Sequence, residues 1–108
     1  MKDIKNKTVV ITGASRGIGA AIAMAFAKEA AKLLLCGRDQ ELLDQVAKET
    51  GLASDHVATV TADIRTAEGM KQIVDTAYDK FGQVDVFINN AGVGWMKPGS
   101  IPTRTNST

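Results

Sequence analysis

Between positions 12 and 19 the chain reads Thr12-Gly13-Ala14-Ser15-Arg16-Gly17-Ile18-Gly19. The run follows an apolar stretch and opens a helical one, the context in which a glycine loop holds a dinucleotide pyrophosphate. Gly13 permits a tight strand-to-helix turn, Gly17 lets backbone amides approach phosphate with no Cβ in the way, and Gly19 lets the helix lie close to the sheet. The amides and dipole at the start of that helix then favour an anion. The spacing is GxxxGxG, not the GxGxxG of the common dinucleotide fingerprint, so the loop alone is a weak signal.

A second set of residues bears on which nucleotide is held. Nucleotide domains of this kind usually carry an acid at the end of the second strand, where it accepts from a ribose hydroxyl and favours NAD. Here that place reads Gly37-Arg38. An arginine pairs there with a 2′-phosphate through charge-assisted bonds, and Arg16 in the glycine loop approaches the same group from the other side. The competing acid, Asp39, is expected to cap the next helix and to have its carboxylate engaged by backbone amides. These residues favour NADP over NAD.

Other chemistries lack their residues. His56 is the one histidine and Cys36 the one cysteine, so neither a histidine metal cluster, a serine-hydrolase triad, a CxxC site nor an internal disulfide is available. Cys36 reads as a small buried strand residue and His56 as a polar residue where a strand begins. A net charge of +1 gives no broad field for nucleic acid or anionic membrane, although Lys97 and Arg104 make the tail locally basic. The longest apolar run, 18–27, falls short of the roughly 20 residues of a membrane span, and no signal-peptide core follows Met1. A cytoplasmic protein is expected.

The elements that must position these residues follow from periodicity. The chain has 108 residues, 44% of them hydrophobic, which suits one α/β domain. Strands are predicted at 8–11, 33–36, 57–61 and 84–88. Between them, Ile18, Ile22, Ala25 and Phe26 repeat at helical spacing. Asp39 starts a second helix with Leu42, Leu43, Val46 and Ala47 inward and Gly51 as its stop. Met70, Ile73, Val74, Ala77, Tyr78 and Phe81 mark a third, ended by Gly82. Strands alternating with helices imply right-handed crossovers and a parallel sheet. Residues 1–94 form one nucleotide-binding half-domain, and 95–108 read as an irregular, mobile tail. The fourth strand, with Val84, Val86, Phe87 and Ile88, is expected to leave an apolar, unpaired margin and to promote self-association.

The run 84–88 closes on Asn89-Asn90-Ala91-Gly92. The glycine loop and this segment, in this order and each closing a strand, resemble the short-chain dehydrogenase/reductase family. The resemblance runs from about Thr8 to Pro98 and corresponds to the N-terminal, cofactor-binding part of such a domain, which implies an incomplete chain. It implies a Rossmann-type three-layer sandwich with strand order 3-2-1-4. It also implies roles for single residues. The Ile18 amide donates to the pyrophosphate. Ser15 either donates to the adenosine phosphate region or serves the turn alone, and Thr12 is structural. Asp63 accepts from the adenine amino group with the Ile64 main chain beside the ring; the plainer alternative is a turn acid leading a helix. Asn90 ties neighbouring strands together, suited by an amide that both donates and accepts. Ala91 and Gly92 leave room for the adenosine ribose and phosphates.

By the same resemblance the function is NADP-dependent hydride transfer between nicotinamide and the carbonyl or alcohol of a small-molecule substrate. The family uses a tyrosine as proton donor with a lysine four residues later, which lowers the phenol pKa. The single tyrosine, Tyr78, is followed at that spacing by Gly82. Lys80 falls on the wrong side of a helix, Ser15 sits in the phosphate loop, and the family's catalytic asparagine comes later than Asn89 and Asn90. No catalytic residue is nominated, and the chain alone is expected to be inactive. Val93, Gly94, Trp95 and Met96 either wall a substrate pocket or are ordinary loop residues. The alternatives are a non-catalytic nucleotide-binding or sensing module and an assembly fragment that completes its sheet with another chain.

Overall fold

Five consecutive β-branched residues, Thr8 to Thr12, form the first strand, and every one is buried. Such side chains are stiff at χ1 and pack well on a pleated surface. The computed structural model describes residues 4–15 and 17–90. In chain order the elements are β1 (Thr8–Thr12), α1 (Gly17–Lys28), β2 (Lys32–Gly37), α2 (Gln40–Glu49), β3 (Val57–Thr61), α3 (Ala67–Phe81) and β4 (Val86–Asn89). The strands make one sheet in the order β3-β2-β1-β4, and every neighbouring pair is parallel.

Side-chain alternation divides the interior into two layers. Val9 and Ile11 of β1 and Leu33 and Leu35 of β2 point to the face covered by α1 and α2, where they meet Ala23, Leu43 and Val46. Val10, Leu34, Cys36 and Val60 point to the other face, against Ile73, Val74 and Ala77 of α3. With helices on both sides, the central strands are apolar throughout, as buried parallel strands are. The result is the Rossmann-type three-layer arrangement with order 3-2-1-4.

Two helix starts are capped by side chains. Asp39 Oδ1 accepts from the Leu42 amide at 3.2 Å at the head of α2, and Thr66 Oγ1 accepts from the Gly69 amide at 2.9 Å at the head of α3. Gly82 closes α3 at φ 78°, and Gly51 follows α2 at φ 71°. Both glycines stand where a left-handed backbone is required.

Helix α1 keeps part of the expected stripe, with Ile22 and Phe26 packed against the core, and departs from the rest. Ile18 is 71% exposed and Ala25 is also exposed, whereas the buried positions are Gly19 and Ala23. Small residues one turn apart bring this helix nearer the sheet than a stripe of isoleucines would. The last strand starts later than expected, at Val86. Ahead of it, the Asp85 carboxylate accepts from the Thr8 amide at 2.8 Å while the Asp85 amide donates to the Thr8 carbonyl at 3.0 Å. A side chain thus occupies the bond that regular pairing would make. β4 lies at the sheet margin as expected, and Val84 and Val86 are half-buried, but Phe87 and Ile88 are 4% and 5% exposed, each joined to one of the two core clusters. Among the described residues, no helix is long and apolar enough to cross a membrane. The expected tail at 95–108 lies outside the described residues.

Candidate functional site

Parallel strands deliver all their carboxyl ends to one margin of the sheet. The turn after β1 carries Gly13 and Ser15, the turn after β2 carries Arg38, the turn after β3 carries Asp63 and Ile64, and β4 runs into Asn90. Since β2 and β4 flank β1 on opposite sides, connections leave β1 in one direction and return to it from the other. Open α/β sheets bind ligands at such a reversal. A cavity of about 520 Å³ lies beside it, floored by Cys36 and Gly37 and walled by Gly13, Ser15, Arg38 and Asp63. That volume suits a nucleotide-sized ligand.

The glycine turn is held by close backbone approach. Gly13 and Gly17 have φ of 63° and 61°, conformations that favour glycine. A Cβ at Gly19 would collide with the Gly13 carbonyl oxygen and lie 2.9 Å from Asn90 Nδ2. Asn90 Nδ2 donates to that same carbonyl at 3.3 Å, so the end of β4 is tied to the turn after β1. Beneath them, Thr12 Oγ1 donates to Asn89 Oδ1 at 3.0 Å. By contrast, a Cβ at Gly17 meets nothing within 4 Å. Ile18 follows in the first turn of α1, where amides lack intrahelical partners, and that turn contains no acidic residue. Arg16, Ala91 and Gly92 lie outside the described residues.

At the other end of the cavity the charged groups have clear partners. Asp39 lines the cavity too while its side chain caps α2. The Arg38 side chain is 68% exposed, and its Nη2 stands 3.8 Å from Asp63 Oδ2. Asp63 is gripped by a residue that sequence reading did not single out, Arg65. The Arg65 amide donates to Oδ1 at 2.9 Å, its Nε to Oδ1 at 3.0 Å and its Nη2 to Oδ2 at 3.1 Å. These hydrogen bonds, with the adjoining positive charges, hold the Asp63 carboxyl down at about 2. An Asp-x-Arg segment leading a helix is the one signal that pointed there, through the Asx turn that its spacing allows.

A third glycine supports this turn. A Cβ at Gly69 would collide with the Asp63 carbonyl oxygen, which also accepts from Thr66 Oγ1 at 3.0 Å. Gly69 therefore does for the turn after β3 what Gly19 does for the turn after β1. The remaining singled-out residues sit elsewhere or play quieter parts. Burial pushes the Cys36 thiol up and keeps it protonated. Tyr78 packs on the α3 side of the core. His56 precedes β3 at the opposite end of the sheet, between Asp55 Oδ1 at 3.1 Å and Asn6 Oδ1 at 3.2 Å.

The glycine turn, the reversal of connections at β1 and the Asn90 tie coincide with a match, over residues 7–105, to the family profile described as short chain dehydrogenase. The chain belongs to the short-chain dehydrogenase family. It is 42% identical, over 85% of its length and 27% of the relative's, to 11-beta-hydroxysteroid dehydrogenase A of Sesamum indicum. Among solved short-chain dehydrogenase/reductase structures, it superposes on a metagenomic oxidoreductase in complex with NADP with a TM-score of 0.75 at 35% identity, covering 89% of this chain and 47% of that one. It matches a protein of Burkholderia phymatum in complex with NAD with a TM-score of 0.74 at 30% identity, covering 81% and 31%. This short-chain dehydrogenase chain spans 27% to 40% of the length of the curated relatives that it matches first.

Proposed function

We propose that the chain is the cofactor-binding part of an NADP-dependent oxidoreductase, which transfers hydride between the nicotinamide and the carbonyl or alcohol of a small-molecule substrate. The observation that carries this reading is the pair at the end of β2. Asp39 caps α2 by accepting from the Leu42 amide through Oδ1, whereas the Arg38 guanidinium stands exposed at the cavity rim. A free acid there would accept from a ribose 2′-hydroxyl; a free guanidinium pairs with a 2′-phosphate. Relatives bind either cofactor, so these side chains make the choice.

The residues present fit the group. The empty space over Gly17 and the acid-free first turn of α1 suit the pyrophosphate, which takes the amides of that turn, Ile18 included. Gly13 and Gly19 set the turn's shape, and Ser15 sits beside the adenosine phosphate. Asp63 accepts from the adenine amino group and Ile64 lies along the ring. Asn90 keeps the glycine turn in place. Arg16 adds a second cation for the 2′-phosphate, and Ala91 and Gly92 leave room by the ribose. The bound cofactor supplies the hydride chemistry. The family's proton donor, a tyrosine with a lysine four residues on, does not occur in these 108 residues, so the chain itself binds cofactor without turnover.

Calorimetric titration of the chain with NADP and NAD tests the reading. A charge-assisted contact is worth about 1.5–3 kcal/mol, so Arg38→Asp should weaken NADP by about tenfold to a hundredfold and narrow or reverse the preference. Unchanged discrimination in that variant would overturn the assignment. Absence of binding by the folded chain would overturn the cofactor reading as a whole.

A further inference from the structure

Three charged side chains meet at the adenine end of the cavity, and their distances are unequal. Asp63, the least exposed, is bonded through both oxygens by Arg65 at 3.0 and 3.1 Å, while Arg38 remains 3.8 Å away, beyond hydrogen-bonding range. We propose that Arg65 is a positioning residue for cofactor choice: by occupying Asp63 it keeps Arg38 free to take the 2′-phosphate. The proposal rests on the NADP reading above and adds the residue on which that selectivity depends.

Two guanidinium groups compete for a single carboxylate. A carboxylate has about four acceptor directions. Arg65 fills three of them with its amide, Nε and Nη2, leaving one on Oδ2 for the adenine amino group. The cluster then carries two positive charges and one negative, with the uncompensated positive charge on Arg38. Without Arg65, Arg38 is the remaining ion-pair partner of Asp63 among the described residues. Closing from 3.8 Å to the roughly 2.8 Å of a charge-assisted bond takes a small side-chain rotation. Arg38 would then neutralise Asp63 rather than a phosphate and would occupy the acceptor that adenine needs. The turn itself stays put, because Thr66 and the close approach at Gly69 hold the Asp63 main chain. Arg65 is 70% exposed, so its replacement leaves the core intact.

The alternative geometry, in which Arg65 itself binds the 2′-phosphate, makes a different prediction in a double-mutant cycle. Wild type, Arg65→Gln, Asp63→Asn and the double variant are titrated with adenosine 2′,5′-bisphosphate and adenosine 5′-monophosphate, with circular dichroism melts to verify folding. The ratio of the two affinities cancels the adenine contacts. Arg65→Gln should lower the preference for the bisphosphate by about tenfold in the wild-type background. In the Asp63→Asn background, where a neutral amide no longer draws Arg38 across, the same change should alter it by less than about twofold. An equal loss in both backgrounds would overturn the proposal by showing direct contact. No loss in either would overturn it too, and if Arg38→Asp still abolishes the preference the NADP reading survives. A wild-type chain indifferent to the 2′-phosphate would remove the NADP reading and this inference together.

Discussion

Asp63 shows how much a single side chain's role depends on its neighbours. Its carboxyl is lowered to about 2, chiefly by the hydrogen bonds from Arg65 and with Arg38 adding a smaller Coulombic pull. A carboxyl lowered in the folded state stabilises the fold above its ordinary pKa of about 3.9, and that contribution disappears as pH falls from there towards about 2. Because both guanidinium groups are exposed, screening keeps the effect on stability small, and the titration of the carboxyl itself is the sharper measurement. A carbon-detected NMR titration should place the Asp63 midpoint near 2 and move it up towards the ordinary value when Arg38 and Arg65 are both replaced by Gln. A wild-type midpoint at the ordinary value would show that the clamp does not form in solution. Arg38 and Asp39 were legible in the sequence, because the end of a strand and the cap of a helix are local features. Arg65 was not, because its partner is chosen by the fold of the turn and by what the turn rests on.

At the scale of elements, the helices are placed by what their glycines omit. Gly19 and Gly69 each face a carbonyl oxygen with no room for a methyl group. Alanine would gain about 1 kcal/mol of helix propensity over glycine, yet the clash is with backbone, which gives way less readily than a flexible side chain. Overpacking of this kind costs about 1–3 kcal/mol. Gly19→Ala should therefore be destabilising in urea unfolding and should weaken cofactor binding, since the Gly13 turn must move. Gly69→Ala should shift the Asp63 turn and act mainly on the Asp63 end of the cavity. Wild-type stability and affinity in both variants would show that the helices shift aside freely. Periodicity located α2 and α3 well because their buried stripes are large and regular. In α1 it found Ile22 and Phe26, which pack against the core, but missed Gly19 and Ala23, which carry no hydrophobic signal, and counted Ile18, which is exposed.

For the molecule as a whole, the sheet order leaves β4 at one margin and β3 at the other. Phe87 and Ile88 of β4 are buried while Val86 and Asn89 are half-buried, and the outer edge of the strand, among the described residues, presents backbone N–H and C=O groups that are a template for another strand. The curated relatives extend well beyond the length matched here. We expect this edge to pair with a further strand, and the 108-residue chain on its own to associate through it. Sedimentation at increasing concentration should show species larger than a monomer, and a proline at Phe87 or Ile88 would not be a fair probe because both are core residues. A clean monomer that unfolds cooperatively at all concentrations would contradict the edge argument.

The alternation of apolar runs, turn glycines and helical stripes was enough to establish the kinds and sequence of the elements, because strand and helix periods and the Asp39 cap arise from interactions within a few residues. The glycine loop and the Asn90 segment, read together, were enough to point to the family and, through it, to the order 3-2-1-4. Periodicity could not have supplied that order, since a strand's pattern records that both faces are buried and not which strand lies beside it. Tertiary structure alone decided that Asp85 would replace a ladder bond beside Thr8, that Thr12 would donate to Asn89, and that Arg38 would stand 3.8 Å from Asp63. Each of these joins groups whose meeting depends on the packed positions of separate segments, where contacts of a few ångströms are set by the whole fold and not by the nearest residues.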